Sequence, residues 1–302
     1  MVEARISTEL KDIAARYAKL DGLNETGIPG LSIYKSSALS EKLHSIYEPC
    51  LCVTIQGKKD TIVEDDIFTC SEGNFLFSSM KLPVCGMVRE ASMESPYLSL
   101  VIMIEPTMVY DTLKDAPHLV SREPSISSGH SLSIGDVDGL MSDAVARLMR
   151  CLDHPGDIPV LAPMIIRELI YRLLATEEGG AIAQLGMLGS KTEKIARAVA
   201  LLNQKFTEKL DMNRIAEDIG MSASNFYKHF KETTGMSPLV YQKKVRLLEA
   251  RHQMLVTGDD AASVSYRVGY ESPSQFSREY SNYFGRPPKK DIALMKSLEL
   301  AG

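Results

Sequence analysis

No apolar run in this 302-residue chain approaches the roughly 18 residues a membrane span needs, so a transmembrane role is not expected. Six histidines are present, His44, His118, His130, His154, His229 and His252, and no two stand as an H-x-H metal pair. There is no G-x-S-x-G, no G-x-x-x-x-G-K and no G-x-G-x-x-G, which leaves nucleophile-elbow, P-loop and dinucleotide chemistry without a carrier. Cysteine is sparse: Cys50, Cys52, Cys70, Cys85 and Cys151 all lie in the first half, odd in number and without a C-x-x-C. That disfavours both a disulfide framework and a zinc site. The N-terminus is polar and charged with no secretory signal, so the expected compartment is the cytoplasm, and no cofactor or metal is expected.

What is present is an ordinary soluble composition, 44% apolar and 24% charged, in a chain long enough for two domains. The net charge of -5 at first argues against a nucleic-acid partner. The charge is unevenly placed, however. From Lys191 onward there are 18 Lys and Arg against 13 Asp and Glu, whereas the preceding part has 16 against 26. A basic C-terminal part therefore follows an acidic N-terminal one.

The basic part contains the same punctuation twice. Ala216, Gly220, Phe226, Phe230 and Gly235-Met236-Ser237-Pro238 are echoed by Ser265, Gly269, Phe276, Tyr280 and Gly285-Arg286-Pro287-Pro288. The offset is 49 residues at the small residue and first glycine and 50 at the second glycine and the proline. A small residue four before a glycine, both ahead of aromatics spaced by four, describes two helices crossing closely at a tight turn, a helix-turn-helix. The aromatics take the core side and leave polar residues outward. Units are expected at about 212–233 and 260–283, joined by a long helix from Pro238 to Leu255 and preceded by a helix from Lys191 to Phe206.

The outward residues are Ser224, Asn225, Tyr227 and Lys228 in the first unit and Ser274, Gln275, Ser277 and Arg278 in the second. Arginine can reach guanine O6 and N7 in two bonds and glutamine can pair adenine likewise, so Gln275 and Arg278 are the leading base-reading candidates. Lys228 suits a base or a phosphate, and Lys231, Lys289 and Lys290 suit phosphate.

Ahead of this, Glu3–Leu20 has a helical apolar period. Seven short strand-like runs follow, Leu31–Tyr34, Leu51–Ile55, Thr61–Val63, Ile67–Cys70, Phe75–Phe77, Val84–Val88 and Leu98–Ile104, with hairpin-like connections that argue an antiparallel sandwich or barrel. Thr107–Lys114 reads as a short helix, Ser121–Asp136 as a loop, and Val137–Leu152 and Ile158–Ala175 as longer helices. The second is apolar on more faces than one sheet can cover, which makes 137–175 the expected dimerisation region. Four glycines between Glu177 and Ser190 mark a boundary. The expected organisation is a sensor and dimerisation domain at 1–180, a linker at 181–190 and a DNA-binding domain at 191–302.

The motifs A-E-D-I-G-M-S at 216–222, F-K-E-T-T-G-M-S-P at 230–238, V-G-Y-E-S-P-S-Q-F-S-R-E-Y at 268–280 and N-Y-F-G-R-P-P at 282–288 resemble the DNA-binding domain of the AraC/XylS family of bacterial transcriptional regulators. Where that family places an arginine shortly after the second proline, Lys289, Lys290 and Asp291 stand instead. Y-E-P-C-L-C-V-T-I-Q-G-K-K at 47–59, L-P-V-C-G at 82–86 and S-P-Y-L-S-L at 95–100 resemble the AraC-type N-terminal domain. The resemblance implies an α+β protein: a cupin-like antiparallel β-barrel with accessory helices, then an all-α domain of two helix-turn-helix units joined by a long helix.

It also implies a regulator, an activator rather than a repressor, whose partners are promoter DNA, RNA polymerase, an unknown small-molecule effector and a second copy of the chain. Inward strand residues Tyr34, Val53, Phe75, Phe77 and Met87, with Cys85, are the candidate effector contacts, and they suggest a largely apolar ligand or simply a barrel core. Two alternatives stay open: a thiol sensor of oxidants or electrophiles using Cys50 or Cys85, and a cupin enzyme with a DNA-binding tail, which the missing H-x-H disfavours.

Overall fold

The computed structural model describes residues 8–119 and 131–299. The chain forms two compact units with their main boundary between Glu193 and Lys194. The first opens with helix α1 (Thr8–Tyr17), followed by β1 (Gly22–Glu25), β2 (Leu31–Ser36), β3 (Leu43–Tyr47), β4 (Cys50–Gln56), β5 (Lys58–Val63), β6 (Asp66–Ser71), β7 (Asn74–Ser78), β8 (Leu82–Glu90) and β9 (Tyr97–Met103). Helix α2 (Pro106–Asp115), strand β10 (Leu132–Asp136) and helices α3 (Gly139–Arg150), α4 (Ile158–Ala175) and α5 (Gly179–Gly186) complete it.

The strands make two antiparallel sheets, one ordered β1-β2-β9-β4-β7-β10 and one ordered β3-β8-β5-β6. The sheets face each other: Lys59 of the smaller lies over the rings of Tyr34 and Tyr97 of the larger. The far face of the larger sheet is covered in part by α1, which buries Leu10, Ile13 and Ala14. The turn from β4 to β5 is a single residue, Gly57, at φ +80°. A Cβ there would stand 2.4 Å from the Glu90 carbonyl oxygen, so only glycine fits.

Three strands, β1, β3 and β10, were not expected. β10 occupies the end of the stretch read as the loop Ser121–Asp136, whose residues 121–130 lie outside the described set, as do Glu3–Ser7 of the first helix and His130.

The expected linker at 181–190 is also corrected, because most of it is helix α5, with Ile182, Ala183 and Leu185 buried. Its glycines serve close packing. A Cβ at Gly179 would lie 2.0 Å from the Leu174 carbonyl oxygen, and one at Gly186 would lie 2.8 Å from the Tyr110 amide nitrogen in α2.

From Lys191 onward the described chain is all helical: α6 (Lys191–Gln204), α7 (Met212–Asp218), α8 (Ala223–Thr234), α9 (Pro238–Thr257), α10 (Ala261–Arg267), α11 (Pro273–Phe284) and α12 (Pro288–Glu299). Among the described residues no helix is long and apolar enough to cross a membrane.

Candidate nucleic-acid interface and barrel interior

Helices α7 and α8 form one helix-turn-helix and α10 and α11 the other. Ala216 and Ser265 are fully buried where the paired helices cross, and Ser265 satisfies its hydroxyl within its own helix, Oγ donating to the Ala262 carbonyl at 2.7 Å. Gly220 and Gly269 take the left-handed backbone at the turns, with φ +67° and +89°. Gly269 is also sterically fixed, since a Cβ would lie 2.1 Å from the Thr207 carbonyl oxygen.

Ser222 and Ser272 cap the N-termini of α8 and α11, each accepting from the amide three residues on, and Gly235 and Gly285 end these helices in the left-handed conformation. Phe226, Phe230, Phe276 and Tyr280 are fully buried.

Anchoring those aromatics inward turns the intervening residues out. Ser224, Asn225, Tyr227 and Lys228 are exposed on α8; Ser274, Gln275 and Arg278 are exposed on α11, with Ser277 half-buried. Their states differ. Gln275 Nε2 donates to Glu279 Oε1 at 3.2 Å, and Glu279 Oε2 accepts from the Tyr270 hydroxyl at 3.0 Å. Lys228 Nζ lies 3.9 Å from Glu232. Arg278 has no hydrogen-bond or ion-pair partner among the described residues.

Two groups to which the sequence reading gave no role hold this unit together. Arg246 of α9 donates from Nε to the Phe206 carbonyl at 2.6 Å, from Nη1 to Gly269 at 2.9 Å and from Nη2 to Glu208 at 2.9 Å. It thereby ties the chain after α6 to the turn of the second helix-turn-helix. Asp291, which follows Lys289 and Lys290 where the family places an arginine, is only 2% exposed; it accepts from Tyr280 at 2.7 Å and lies 2.8 Å from Arg251. Lys289 and Lys290 are exposed.

In the first unit, strand register decides which side chains enter the barrel. Opposed residues in antiparallel strands share a face, so Tyr34, Ser99 and Thr54 form one set, as do Lys59, Cys70 and Val88. Phe77 and Phe75 stand opposite Leu51 and Val53, on the other face of the larger sheet from Tyr34. Cys85 and Met87 stand opposite Ile62 and Asp60, on the other face of the smaller sheet from Lys59. Of the candidate effector contacts, Tyr34 alone faces the lumen.

The lumen gathers residues that were not singled out. Lys59 Nζ lies 4.4 Å from the Tyr34 ring centroid, 5.7 Å from Tyr47 and 5.9 Å from Tyr97. Burial disfavours its charge, but the three phenol oxygens and a hydrogen bond with Tyr47 outweigh this and hold its pKa above the ordinary lysine value. Gly86 makes room for it, since a Cβ there would be 2.9 Å from Lys59 Cε.

Cys50 and Cys52 face the same space with sulfurs 3.7 Å apart. Their hydrogen bond pushes the Cys50 thiol well up and pulls Cys52 down, and burial pushes Cys70 up to about 12. Cys50, one of the two thiol-sensor candidates, is buried in this pair, which disfavours its thiolate. The other, Cys85, faces away from the lumen.

Comparison with known proteins agrees with this architecture. The family model described as AraC-type transcriptional regulator N-terminus matches residues 27–181, and a helix-turn-helix domain model matches residues 215–292. The HTH-type transcriptional activator RhaS of Yersinia pestis bv. Antiqua (strain Angola) is 22% identical over 260 residues, covering 84% of this chain and 89% of its own. The structure of ToxT from Vibrio cholerae O395 superposes with a TM-score of 0.54 at 11% identity, over 87% of this chain and 96% of that one, which supports the fold. With both halves matched and the helix-turn-helix pair intact, the chain belongs to the AraC-type transcriptional regulators, DNA-binding proteins of α+β architecture.

Proposed function

We propose that this chain is a one-component transcriptional activator of the cytoplasm, not an enzyme, in which the N-terminal unit senses a small molecule and the C-terminal unit binds a promoter and engages RNA polymerase. The observation that carries the DNA reading is the pair of capped helices, α8 and α11, whose aromatic faces are fully buried and whose polar faces are exposed. Helices so presented enter successive major grooves about 34 Å apart along one face of the duplex. Ser224, Asn225, Tyr227 and Lys228 then read one half-site and Ser274, Gln275, Ser277 and Arg278 the other. RhaS is named an activator, and ToxT has been solved with an unsaturated fatty acid bound; both support the reading of a ligand-responsive activator.

Dimerisation is assigned to α4. Its inner side, including Ile166, is buried, while Val160, Leu161, Met164 and Tyr171 form an exposed apolar stripe. The test of the whole reading is retention of fragments of the source genome by the purified protein, followed by sequencing. A small set of fragments sharing two adjacent half-sites is expected. Uniform retention in proportion to abundance would contradict sequence-specific control.

A further inference from the structure

We propose that the thiols of Cys50 and Cys52 form a binding site for one monovalent thiophilic ion, copper(I) in kind, held as a two-coordinate bis-thiolate beside Lys59. This goes beyond the regulator reading and does not depend on it, since the site consists of side chains of one unit and needs no DNA.

Residues two apart in a strand point to one face, and Cys50 and Cys52 of β4 do so with sulfurs 3.7 Å apart. A thiolate bond to an ion of this size is about 2.3 Å long. Two such bonds reach across 3.7 Å when bent and about 4.6 Å when straight, so one ion bridges the pair after small χ1 rotations. The ion takes the place of the hydrogen bond between the sulfurs, and no separate cavity is required. Both residues are free thiols. Cys50 is 3% exposed, whereas Cys52 keeps part of its surface open to solvent and gives the ion its entry.

The donor set selects the ion. Among the described residues no three His, Cys, Asp or Glu side chains are grouped to hold a metal. Zinc, which takes four ligands in a structural site, would be two short. Soft thiolates favour copper(I), which is satisfied by a pair of them.

Charge selects the valence. Two thiolates and one monovalent ion carry a net charge of about -1, whereas a divalent ion would leave the pair neutral. Lys59 supplies the matching positive charge, and its field favours thiolate at both Cys50 and Cys52. No ion pair of Lys59 is found among the described residues. Its chain neighbour Asp60 is turned to the opposite face, where it accepts from Arg89 at 2.6 Å and from Thr69 at 2.8 Å. The phenols nearby stay neutral, because burial pushes Tyr47 up and Tyr97 up to about 12.

Binding breaks two S–H bonds, forms two metal–sulfur bonds and releases two protons to solvent. No electron is transferred, which separates this site from thiol oxidation. A coordinating ion deprotonates its thiols outright and so overcomes the burial that disfavours thiolate at Cys50.

The test uses the reduced full-length protein without oxygen. Copper(I), supplied as its acetonitrile complex, is titrated in competition with bathocuproine disulfonate, and silver(I) and zinc(II) are titrated in parallel. Wild type should hold one copper(I) or one silver(I) per chain and no zinc(II). Cys50→Ser and Cys52→Ala should each lose that ion, while Cys70→Ser, Cys85→Ser and Cys151→Ser keep it. Lys59→Met should weaken it by about tenfold.

The Tm of each metal-free variant checks its fold. X-ray absorption of copper-loaded wild type keeps the test independent of any variant: two sulfur neighbours are expected. No ion retained by wild type, retention unchanged in Cys50→Ser or Cys52→Ala, loss in Cys70→Ser, or three or more neighbours at copper would each overturn the site. Equal losses across all five cysteine variants would mark non-specific thiol binding and overturn it too. Genomic-fragment retention is measured separately without metal, so failure of either reading leaves the other to stand on its own result.

Discussion

Gln275 and Arg278 project from adjacent turns of α11, but they are not equally available. Gln275 is engaged with Glu279, itself held by Tyr270, so reading a base costs it one existing bond. Arg278 is exposed and unengaged among the described residues, and an incoming guanine edge replaces only water. Arg278→Ala should therefore lose about 1–3 kcal/mol of operator binding and relax discrimination at a single base position. Lys228→Ala should weaken all operator variants alike if it contacts phosphate. Titration against a set of single-base operator variants measures both; a uniform loss for Arg278→Ala would remove it from the base-reading set.

At the scale of elements, the helix-turn-helix pair was the most legible feature, because the small residue, the glycine and the buried aromatics each meet a steric demand that few residues can satisfy. What joins the units was not legible. Arg246 reads in sequence as one more basic residue on a helix, and only the fold brings the carbonyls of Phe206, Glu208 and Gly269 within its reach. Arg246→Met should lower stability by about 3 kcal/mol in denaturant unfolding. Arg246→Lys should recover little, since one ammonium cannot span three separated carbonyls. A loss for Arg246→Met smaller than about 1 kcal/mol would show that water replaces these bonds.

The three strands that escaped the sequence reading, β1, β3 and β10, are all sheet edges, short and incompletely buried, with one neighbour each to impose a pattern. Which residues face the lumen was hidden for the opposite reason. Both faces of β4 and β7 are largely buried, so alternation of apolar residues does not mark the inside; only register places Phe75 and Phe77 away from Tyr34.

At the scale of the whole molecule, the proposed dimer is testable on α4, whose inner and outer sides separate folding from association. Ile166, on the inner side of the helix, is only 8% exposed, so an aspartate there would disrupt the unit itself and could not report on a dimer. Met164 is 65% exposed and Val160 64%, on the outer stripe. Met164→Asp should therefore leave the Tm of the isolated chain nearly unchanged, because an exposed substitution costs within about 0.5 kcal/mol. If the stripe is the seam, the same change buries a charge in the dimer and should convert dimer to monomer in sedimentation velocity at micromolar concentration. Operator affinity should then fall with the loss of the second chain's half-sites, whereas each chain's own contacts persist. A protein that stays dimeric with Met164→Asp would move the interface off α4, and a wild type already monomeric at that concentration would remove it.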